Sequence, residues 1–322
     1  MALTNFLAAG LSFSSLLSRI PGGISQGLIW GIMAVGVFIT FRILDIADLS
    51  VDGTFATGGA VTVMLIINGV PAALACICAT LAGIICGFVC GLLHSKLNIP
   101  AILSGILIQF ALYSVNLRIM GGSANKSANP DSFHLFISLR NVPMAILCGF
   151  IFAACLIAVL YWYFGTEQGN AMRSTGSNPA MSRAMGVNIG NMKIIGLAIS
   201  NGIVALSGSL MAQYQGYADV SMGRGAIVIG LAAVIIGEVL CDAIFKKGCS
   251  FVVRLCFIVI GGVIYYLVMV LILWLKLDAN DLKLFTALIV AIFLAVPYLK
   301  DLSRHSFKAA FKRSQKYNKE AK

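Results

Sequence analysis

Long apolar segments separated by short polar or glycine-rich stretches run through almost the whole of this sequence. A helix needs roughly 20 apolar residues to cross a lipid bilayer, and the segments have about that length. The pattern therefore predicts an all-α polytopic membrane protein with about 9–10 transmembrane helices. The predicted spans are 24–41, 53–67, 71–93, 100–119, 144–164, 192–213, 225–244, 250–275 and 282–299. Residues 2–18 are more polar, and they predict either a tenth span or a helix in the membrane interface.

The same pattern divides the chain into five parts. A first transmembrane repeat covers 20–164 and a second covers 192–300, with a polar segment at 165–191 between them. The segment 1–19 precedes the first repeat, and a basic tail, 301–322, follows the second.

Composition narrows the class of protein. Of the 322 residues, 59% are hydrophobic and 11% are charged, which excludes an ordinary soluble domain. The nine cysteines show no CxxC or Cys/His metal spacing, so we expect small buried apolar residues and not a disulfide framework. The sequence contains no P-loop, HExxH or GxSxG motif, so we expect no catalytic residue, no metal site and no cofactor in this chain.

The distribution of Lys and Arg predicts the orientation, because cytoplasmic loops are enriched in both. With the tail 301–322 placed inside, 16 of the 23 Lys and Arg fall on the cytoplasmic side and 7 on the other. A basic tail beside a span indicates contact with anionic membrane lipid and not with nucleic acid. The same orientation places 165–191 in the cytoplasm and the loop 121–142 outside.

The polar segment Glu167–Asn191 contains the pattern of a short helix. Asn178 is suited to cap this helix, Pro179 to start it and Gly186 to end it. The segment also offers an apolar patch with flanking charges for a partner protein, formed by Met181, Ala184 and Met185 with Arg173 and Arg183. An ordinary connecting loop is the alternative on composition alone.

Two short motifs resemble each other at an offset of 171 residues (218 minus 47). Residues 47–51 read Ala-Asp-Leu-Ser-Val, and residues 218–222 read Ala-Asp-Val-Ser-Met. In the predicted orientation the spans before them cross the membrane in opposite directions. This arrangement predicts two inverted-topology repeats, which are typical of transporters.

Both motifs are polar and rich in Gly where apolar spans meet, as expected of broken helices that border a translocation path. The alternative is that their aspartates only cap the helices that follow, and that polar groups within spans only bond to neighbouring helices. The candidate path residues are Asp48, Ser50, Asp52, Tyr113, Asn116, Asn201, Gln213, Asp219 and Ser221. Glu238 lies well inside an apolar run, where a charge needs water or a partner. Because it is near the cytoplasmic end of its predicted span, we expect it to snorkel to the surface or to pair with Lys246, Lys247 or Arg254.

The stretch Gly36–Gly53, GVFITFRILDIADLSVDG, resembles the second-span motif of the branched-chain amino acid and ribose type permeases of bacterial ABC importers. The stretch Gly169–Asn188, which includes Gly176 and the pair Asn178-Pro179, looks like the cytoplasmic coupling segment of that family. Two shorter stretches, 113–122 and 212–219, are similar to a tryptophan/tyrosine uptake branch of the same family.

This resemblance implies a permease subunit in a bacterial plasma membrane that takes up a small solute, with an aromatic amino acid as the expected substrate. It implies a homodimer, a cytoplasmic ATPase subunit that binds ATP and Mg²⁺, and an external substrate-binding lipoprotein. The residues expected to couple to the ATPase are Arg173, Gly176, Asn178, Pro179, Met181, Arg183, Ala184, Met185 and Gly186. A permease for a branched-chain amino acid, a sugar or a nucleoside is the alternative, and a stand-alone secondary transporter is a more distant one.

Overall fold

The computed structural model describes residues 13–128, 135–245 and 249–274, together with 284, 287–288, 291–292 and 295. The chain divides into two units, 1–276 and 277–322. In the second unit the described positions are helical. The rest of the predicted span 282–299 and the basic tail 301–322 lie outside the described residues.

The described part of the first unit forms ten α-helices, one π-helical turn and a two-stranded ribbon. In chain order these are α1 (Phe13–Phe38), the π-helical turn (Ile39–Ile43), α2 (Val51–Ile67), α3 (Ala72–Ser95), α4 (Ala101–Ile119), β1 (Asn125–Ser127), α5 (Val142–Phe164), α6 (Glu167–Ser177), α7 (Pro179–Ala184), α8 (Ile189–Gln215), β2 (Tyr217–Asp219), α9 (Ala226–Phe245) and α10 (Phe251–Trp274). Seven of these helices are long and apolar enough to cross a membrane, and α2 is a shorter apolar helix. The predicted all-α polytopic fold is confirmed.

The first span differs from its predicted bounds. The sequence pattern separates residues 1–19 from a span at 24–41, whereas α1 runs without interruption from Phe13 through Pro21 to Phe38. Pro21 is the ninth residue of α1 and has no amide hydrogen, so it removes one helical hydrogen bond, but its fixed φ is compatible with a helix and α1 continues through it. Residues 13–19 are therefore the first turns of α1, and residues 1–12 lie outside the described part.

Helices α1 and α8 form the centre of the unit. In each of them 83% of an apolar stretch of 18 residues is buried, against 28% of the corresponding stretch in α4 and 17% in α5. Helix α8 packs against α3, α2 and α1, and α1 packs against α10, α9 and α5. Helices α4 and α5 therefore lie at the outside of the unit, where their apolar faces are available to lipid or to another protein.

Small residues allow α2 and α8 to cross at close range. A Cβ on Gly58 would overlap the backbone carbonyl of Ala205, and a Cβ on Gly208 would overlap the backbone carbonyl of Phe55. The two helices thus meet backbone to backbone through one glycine on each side, which is a common mode of helix association in membranes.

The ribbon joins two loops that are distant in sequence. Strands β1 and β2 pair antiparallel, with Asn125 opposite Asp219 and Ser127 opposite Tyr217. The distribution of Lys and Arg predicts that both loops are external. The pairing is consistent with this prediction, because it places the two loops on the same side of the protein. Residues 129–134 of the predicted loop 121–142 lie outside the described part.

Groups predicted to be cytoplasmic also lie together. Arg42 Nε donates to Glu238 Oε1 at 2.9 Å, and Arg254 Nη1 lies 3.9 Å from the same oxygen. Of the three predicted partners, Arg254 is near Glu238 but Arg42 makes the closer ion pair. The other two, Lys246 and Lys247, lie outside the described residues. The acid lies within α9 beside two basic groups, which compensate its charge.

One cysteine pair contradicts the expectation that no cysteines are bonded. Cys241 near the end of α9 and Cys249 just before α10 form a disulfide. Their spacing of eight residues matches no short bonding motif. The other seven cysteines are free.

Candidate functional site

The two repeated motifs adopt the same local structure. Oδ1 of Asp48 accepts hydrogen bonds from the amide of Ser50 at 2.9 Å and from its hydroxyl at 2.6 Å. Oδ1 of Asp219 accepts from the amide of Ser221 at 2.6 Å and also from its hydroxyl. Each motif is an Asx turn, in which an aspartate carboxylate takes the place of a backbone carbonyl.

The two motifs meet through Asp52. Its carboxylate accepts from the amide of Gly225 at 2.9 Å and from the amide of Ile227 at 3.0 Å, at the start of α9. A Cβ on Gly223 would overlap the Asp52 backbone carbonyl, so the two chain segments are in direct contact. Asp52 therefore caps a helix, as the alternative prediction has it, but the helix is α9, which follows the second motif, and not the helix that follows Asp52. A carboxylate is favourable there because the N-terminus of a helix carries partial positive charge.

Asp48 belongs to a closed network in the protein interior. Its Oδ2 accepts from Asn201 Nδ2 at 2.7 Å, and the Ser50 hydroxyl also lies 3.1 Å from Asn201 Oδ1. All three residues are buried, with Asp48 only 3% exposed. A buried carboxylate is tolerated when it is fully hydrogen-bonded, and this network supplies those bonds. The three residues join the first repeat to α8 and line none of the cavities described below.

Gln213, also predicted for the path, has a similar structural role. Its Nε2 donates to Cys76 Sγ at 3.0 Å, and its Oε1 accepts from the amide of Phe136 at 3.3 Å. The side chain is 1% exposed, and its hydrogen bonds join α8 to α3 and to the loop 121–142.

A cavity of about 600 Å³ opens beside α4. One face of that helix lines it at helical spacing, and the turn segments close its other side. The lining residues are Ile106, Gln109, Phe110, Tyr113 and Asn116 of α4 with Asp52, Gly53, Val220 and Arg224. Three of the predicted path residues, Asp52, Tyr113 and Asn116, lie here. Asn116 Nδ2 donates to the Gly53 carbonyl at 3.5 Å, and its Oδ1 is buried with no hydrogen-bond partner among the described residues.

The sequence-based list omits Gln109 and Arg224 from this cavity. Gln109 was recognisable as an amide within a span, three and four residues from lining positions on the same helix face. Arg224 carries no such signal, because it comes from a turn and reaches the cavity only through the meeting of the two motifs.

A smaller cavity of about 340 Å³ contains the second motif, with Asp219 and Ser221 in its wall. Trp30 of α1 lines it too and stacks on Phe55, with the ring centroids 4.8 Å apart. The indole N–H of Trp30 has no acceptor among the described residues. This cavity lies next to the ribbon and therefore on the side that is predicted to be external.

The polar segment between the two repeats folds as two helices, α6 and α7. The Asn178 side chain caps α7 by accepting from the amide of Met181 at 3.0 Å. Gly186 has φ +84, and its amide donates to the Arg183 carbonyl at 3.0 Å. The predicted short helix with its cap and stop is confirmed. Helix α6, capped by Thr166, was not predicted.

Helix α7 presents most of its side chains to solvent. Met181 is 62% exposed and Met185 is 75% exposed, and Arg183 and Ala184 are exposed beside them. Ser182 faces inward, where its hydroxyl donates to the Asn178 carbonyl at 3.0 Å. The apolar patch therefore exists and is uncovered in this chain.

Arg173 and Gly176 do not flank that patch. The Arg173 guanidinium lies over the Phe251 ring, 4.1 Å from its centroid, and 5.2 Å from the centroid of Phe164. A Cβ on Gly176 would overlap the backbone carbonyl of Ile43. Both residues dock α6 onto the membrane helices, since a guanidinium is stabilised over aromatic rings. Burial lowers the pKa of the Arg173 guanidinium, which nevertheless stays charged at neutral pH.

Comparison with known proteins places the chain in a family. The family described as the permease component of the branched-chain amino acid transport system matches residues 20–297. The chain belongs to this permease family. A tyrosine transport system permease protein of Clostridioides difficile (strain R20291) is 39% identical over 87% of this chain and 91% of its own. The resemblance inferred from the two motifs is confirmed.

More distant relatives broaden the family. Protein RP368 of Rickettsia prowazekii (strain Madrid E) is 33% identical over 87% of this chain and 98% of its own. The ribose import permease protein RbsC of Escherichia coli (strain K12) is 27% identical over 66% of this chain and 67% of its own. As a member of the permease family, the chain is a multi-pass membrane component of an ABC-type transporter and not itself a catalytic enzyme. The family implies an ATPase partner and a substrate-binding protein.

Proposed function

We propose that this permease imports an aromatic amino acid and works as a homodimer whose C-terminus is cytoplasmic. The observation that carries the substrate is the make-up of the 600 Å³ cavity, which combines aromatic and charged groups. Phe110 and Tyr113 offer ring faces, and Asp52 and Arg224 offer opposite charges. A zwitterion with an aromatic side chain complements all of them, with its ammonium toward Asp52 and its carboxylate toward Arg224. The name of the Clostridioides difficile relative supports the same substrate class.

The homodimer is supported by the same face of α4. Phe110 is 73% exposed and Tyr113 is 47% exposed, and Gln109 lines the cavity on the same helix face. Polar side chains that face hydrocarbon are costly, so an open wall of this kind favours a protein neighbour over lipid. A second copy of the chain, related by a two-fold axis, would close the cavity with its own α4 and complete a path between the two subunits.

The inverted repeats are supported by packing as well as by sequence. Helix α3 packs on α8, and α10 packs on α1. Each Asx turn precedes a helix, the first turn α2 and the second turn α9. The N-termini of α2 and α9 meet at Asp52, which is the arrangement expected when two inverted halves meet within the membrane.

Coupling to the ATPase is assigned to α7. The helix is short and held by its own cap and stop, so binding a partner costs little ordering entropy. Its exposed patch of Met181, Ala184 and Met185 suits an apolar groove in the ATPase, where ATP and Mg²⁺ would be bound. The ribbon side, including 121–142, is where the substrate-binding lipoprotein would dock.

Uptake in proteoliposomes tests the proposal. The permease, the ATPase and the binding protein are reconstituted together, and the uptake of radiolabelled tyrosine is measured with and without ATP. We expect ATP-dependent uptake that unlabelled tryptophan and tyrosine inhibit and that leucine, ribose and adenosine do not. If ribose, adenosine or leucine inhibits and tryptophan and tyrosine do not, the permease would be assigned to the inhibiting solute instead.

Variants of the cavity separate recognition from folding. We expect Arg224→Gln to reduce tyrosine uptake about tenfold, since a charge-assisted hydrogen bond is worth roughly 1.5–3 kcal/mol. Arg118→Gln is the matched control, because Arg118 is a basic residue in the last turn of α4 that does not line the cavity. Equal uptake by both variants and the unmodified protein would remove the recognition role of Arg224.

A further inference from the structure

Three arginines from different parts of the chain line a cavity of about 450 Å³ at the predicted cytoplasmic end. Arg42 comes from the π-helical turn, Arg173 from α6 and Arg254 from α10. Gly176 and Ser177 of α6 form one wall, and Phe38, Ile43 and Phe251 provide apolar surface. The cavity therefore lies where the coupling segment meets both membrane repeats.

The positive charge of this cavity exceeds the negative charge near it. Glu238 is the one carboxylate within salt-bridge distance of the three arginines in the described part of the chain, and it pairs with Arg42 at 2.9 Å and lies 3.9 Å from Arg254. Arg173 has no acidic partner among the described residues, and its Nε is buried without a hydrogen-bond acceptor. Arg173 therefore brings an unpaired positive charge to the cavity wall, and a ligand that supplies negative charge and acceptor oxygens to its guanidinium would stabilise the site.

Aromatic residues place this cavity at the depth of lipid headgroups. Tyr161 is 59% exposed and Trp162 is 72% exposed at the end of α5, next to Phe164, which contacts Arg173. Exposed Tyr and Trp are typical of the membrane–water interface. Phe41 of the π-helical turn and Phe245 at the end of α9 also expose apolar surface. The cavity thus opens where apolar side chains give way to basic ones.

We propose that this cavity binds the phosphate of an anionic phospholipid headgroup. The phosphate oxygens would accept from Arg173 and Arg254, and the acyl chains would lie along the exposed apolar surface beside the cavity. Guanidinium groups suit phosphate because their planar donors match its oxygens. The bound lipid would connect α6 to the π-helical turn and to α10, so the lipid would hold the coupling segment against the membrane helices. This inference goes beyond the transported substrate and does not depend on it.

Lipid retention by the purified full-length permease tests the site. The protein is placed in nanodiscs of phosphatidylcholine that contain a small fraction of phosphatidylglycerol, and the lipid retained after exchange into detergent is counted by native mass spectrometry. We expect selective retention of phosphatidylglycerol, reduced about fivefold by Arg254→Gln and by Arg173→Gln, since one basic group near a membrane surface contributes about 1 kcal/mol. Lys96→Gln is the control, because Lys96 is an exposed basic residue at the predicted cytoplasmic end that lies outside the cavity.

The outcomes distinguish the lipid from other anions. Competition by excess inorganic phosphate, without selectivity between the two lipids, would overturn the proposal in favour of a soluble anion. Equal losses in Lys96→Gln and Arg254→Gln would overturn it in favour of general surface charge. If Arg173→Gln does not fold, Arg254→Gln alone decides, because Arg254 is 37% exposed and makes only the longer contact to Glu238.

Discussion

Asp48 and Asn201 are 153 residues apart in sequence, and Asn201 Nδ2 donates to Asp48 Oδ2 at 2.7 Å in the centre of the protein. Asp48 is 3% exposed and Asn201 is 0% exposed, so neither is solvated. The hydrogen bond joins the motif that follows the π-helical turn to the middle of α8. The carboxylate of the first motif therefore joins two distant segments of the chain and lines none of the cavities described above.

We expect Asn201→Leu to destabilise the protein by about 3 kcal/mol, because removing the partner of a buried charge leaves that charge uncompensated. The separate variant Asp48→Asn removes the charge itself, so we expect it to lose less stability than Asn201→Leu. The measurement is the midpoint of thermal unfolding in detergent, followed by size-exclusion chromatography to confirm folding. A midpoint for Asn201→Leu equal to that of the unmodified protein would show that the network contributes little.

The close crossing of α2 and α8 gives a second prediction. Gly208→Ala places a Cβ against the Phe55 backbone carbonyl, which cannot move without shifting the whole helix. We expect poor folding yield, with a cost of about 1–3 kcal/mol for overpacking. Gly190→Ala is the matched control on the same helix, where a Cβ would make only ordinary contacts, the nearest at 3.5 Å. Similar yields for both variants would contradict the crossing.

The two Asx turns differ in accessibility, and thiol labelling measures that difference. Ser221 is exposed and lines the smaller cavity, whereas Ser50 is 0% exposed within the Asp48 network. In a background in which the free cysteines are replaced, we expect Ser221→Cys to react with a membrane-impermeant reagent from the outside and Ser50→Cys to stay unlabelled. Rapid labelling of Ser50→Cys in every nucleotide state would place the first motif on the path after all.

Features that depend on neighbouring residues were predictable from the sequence. The cap at Asn178, the start at Pro179 and the stop at Gly186 are local, and α7 has the predicted form. For the spans that lie within the described residues, the bilayer-length apolar segments predicted the helices to within a few residues, except at the start of α1.

Features that depend on packing between distant segments were not predictable. Nothing near Asp52 indicates that it caps α9 about 170 residues later, since its partners are backbone amides that any residue carries. Arg173 was predicted to flank the exposed patch on charge alone, but two aromatic rings from α5 and α10 hold it against the membrane helices. The same limit applies to Asp48, Ser50, Asn201 and Gln213, which were predicted to line the path from their polarity alone. Their hydrogen bonds to distant segments depend on packing that the sequence does not show.

The exposed patch on α7 gives the prediction that tests coupling most directly. Ala184→Asp places a charge among Met181 and Met185 without touching the membrane helices, because the helix is exposed at this position. Burying the patch would contribute roughly 2–4 kcal/mol at about 25 cal/mol per Å² of apolar area, and a desolvated carboxylate would cancel most of that. We therefore expect normal membrane insertion and an unchanged midpoint of thermal unfolding, together with at least tenfold weaker co-purification of the ATPase subunit or hydrolysis without uptake.

Gly186→Ala provides an independent change in the same helix. The residue has φ +84, which costs an L side chain about 1 kcal/mol, and its amide closes the helix end at Arg183. We expect a milder loss of coupling than for Ala184→Asp, because the patch persists but is less firmly held. Lys96→Asp is the control for a new negative charge on the same predicted side of the membrane, at an exposed position outside the segment. Equal co-purification and equal uptake for Ala184→Asp, Gly186→Ala and the control would mean that α7 is a connecting helix, and the contact with the ATPase would then have to lie elsewhere on the cytoplasmic surface.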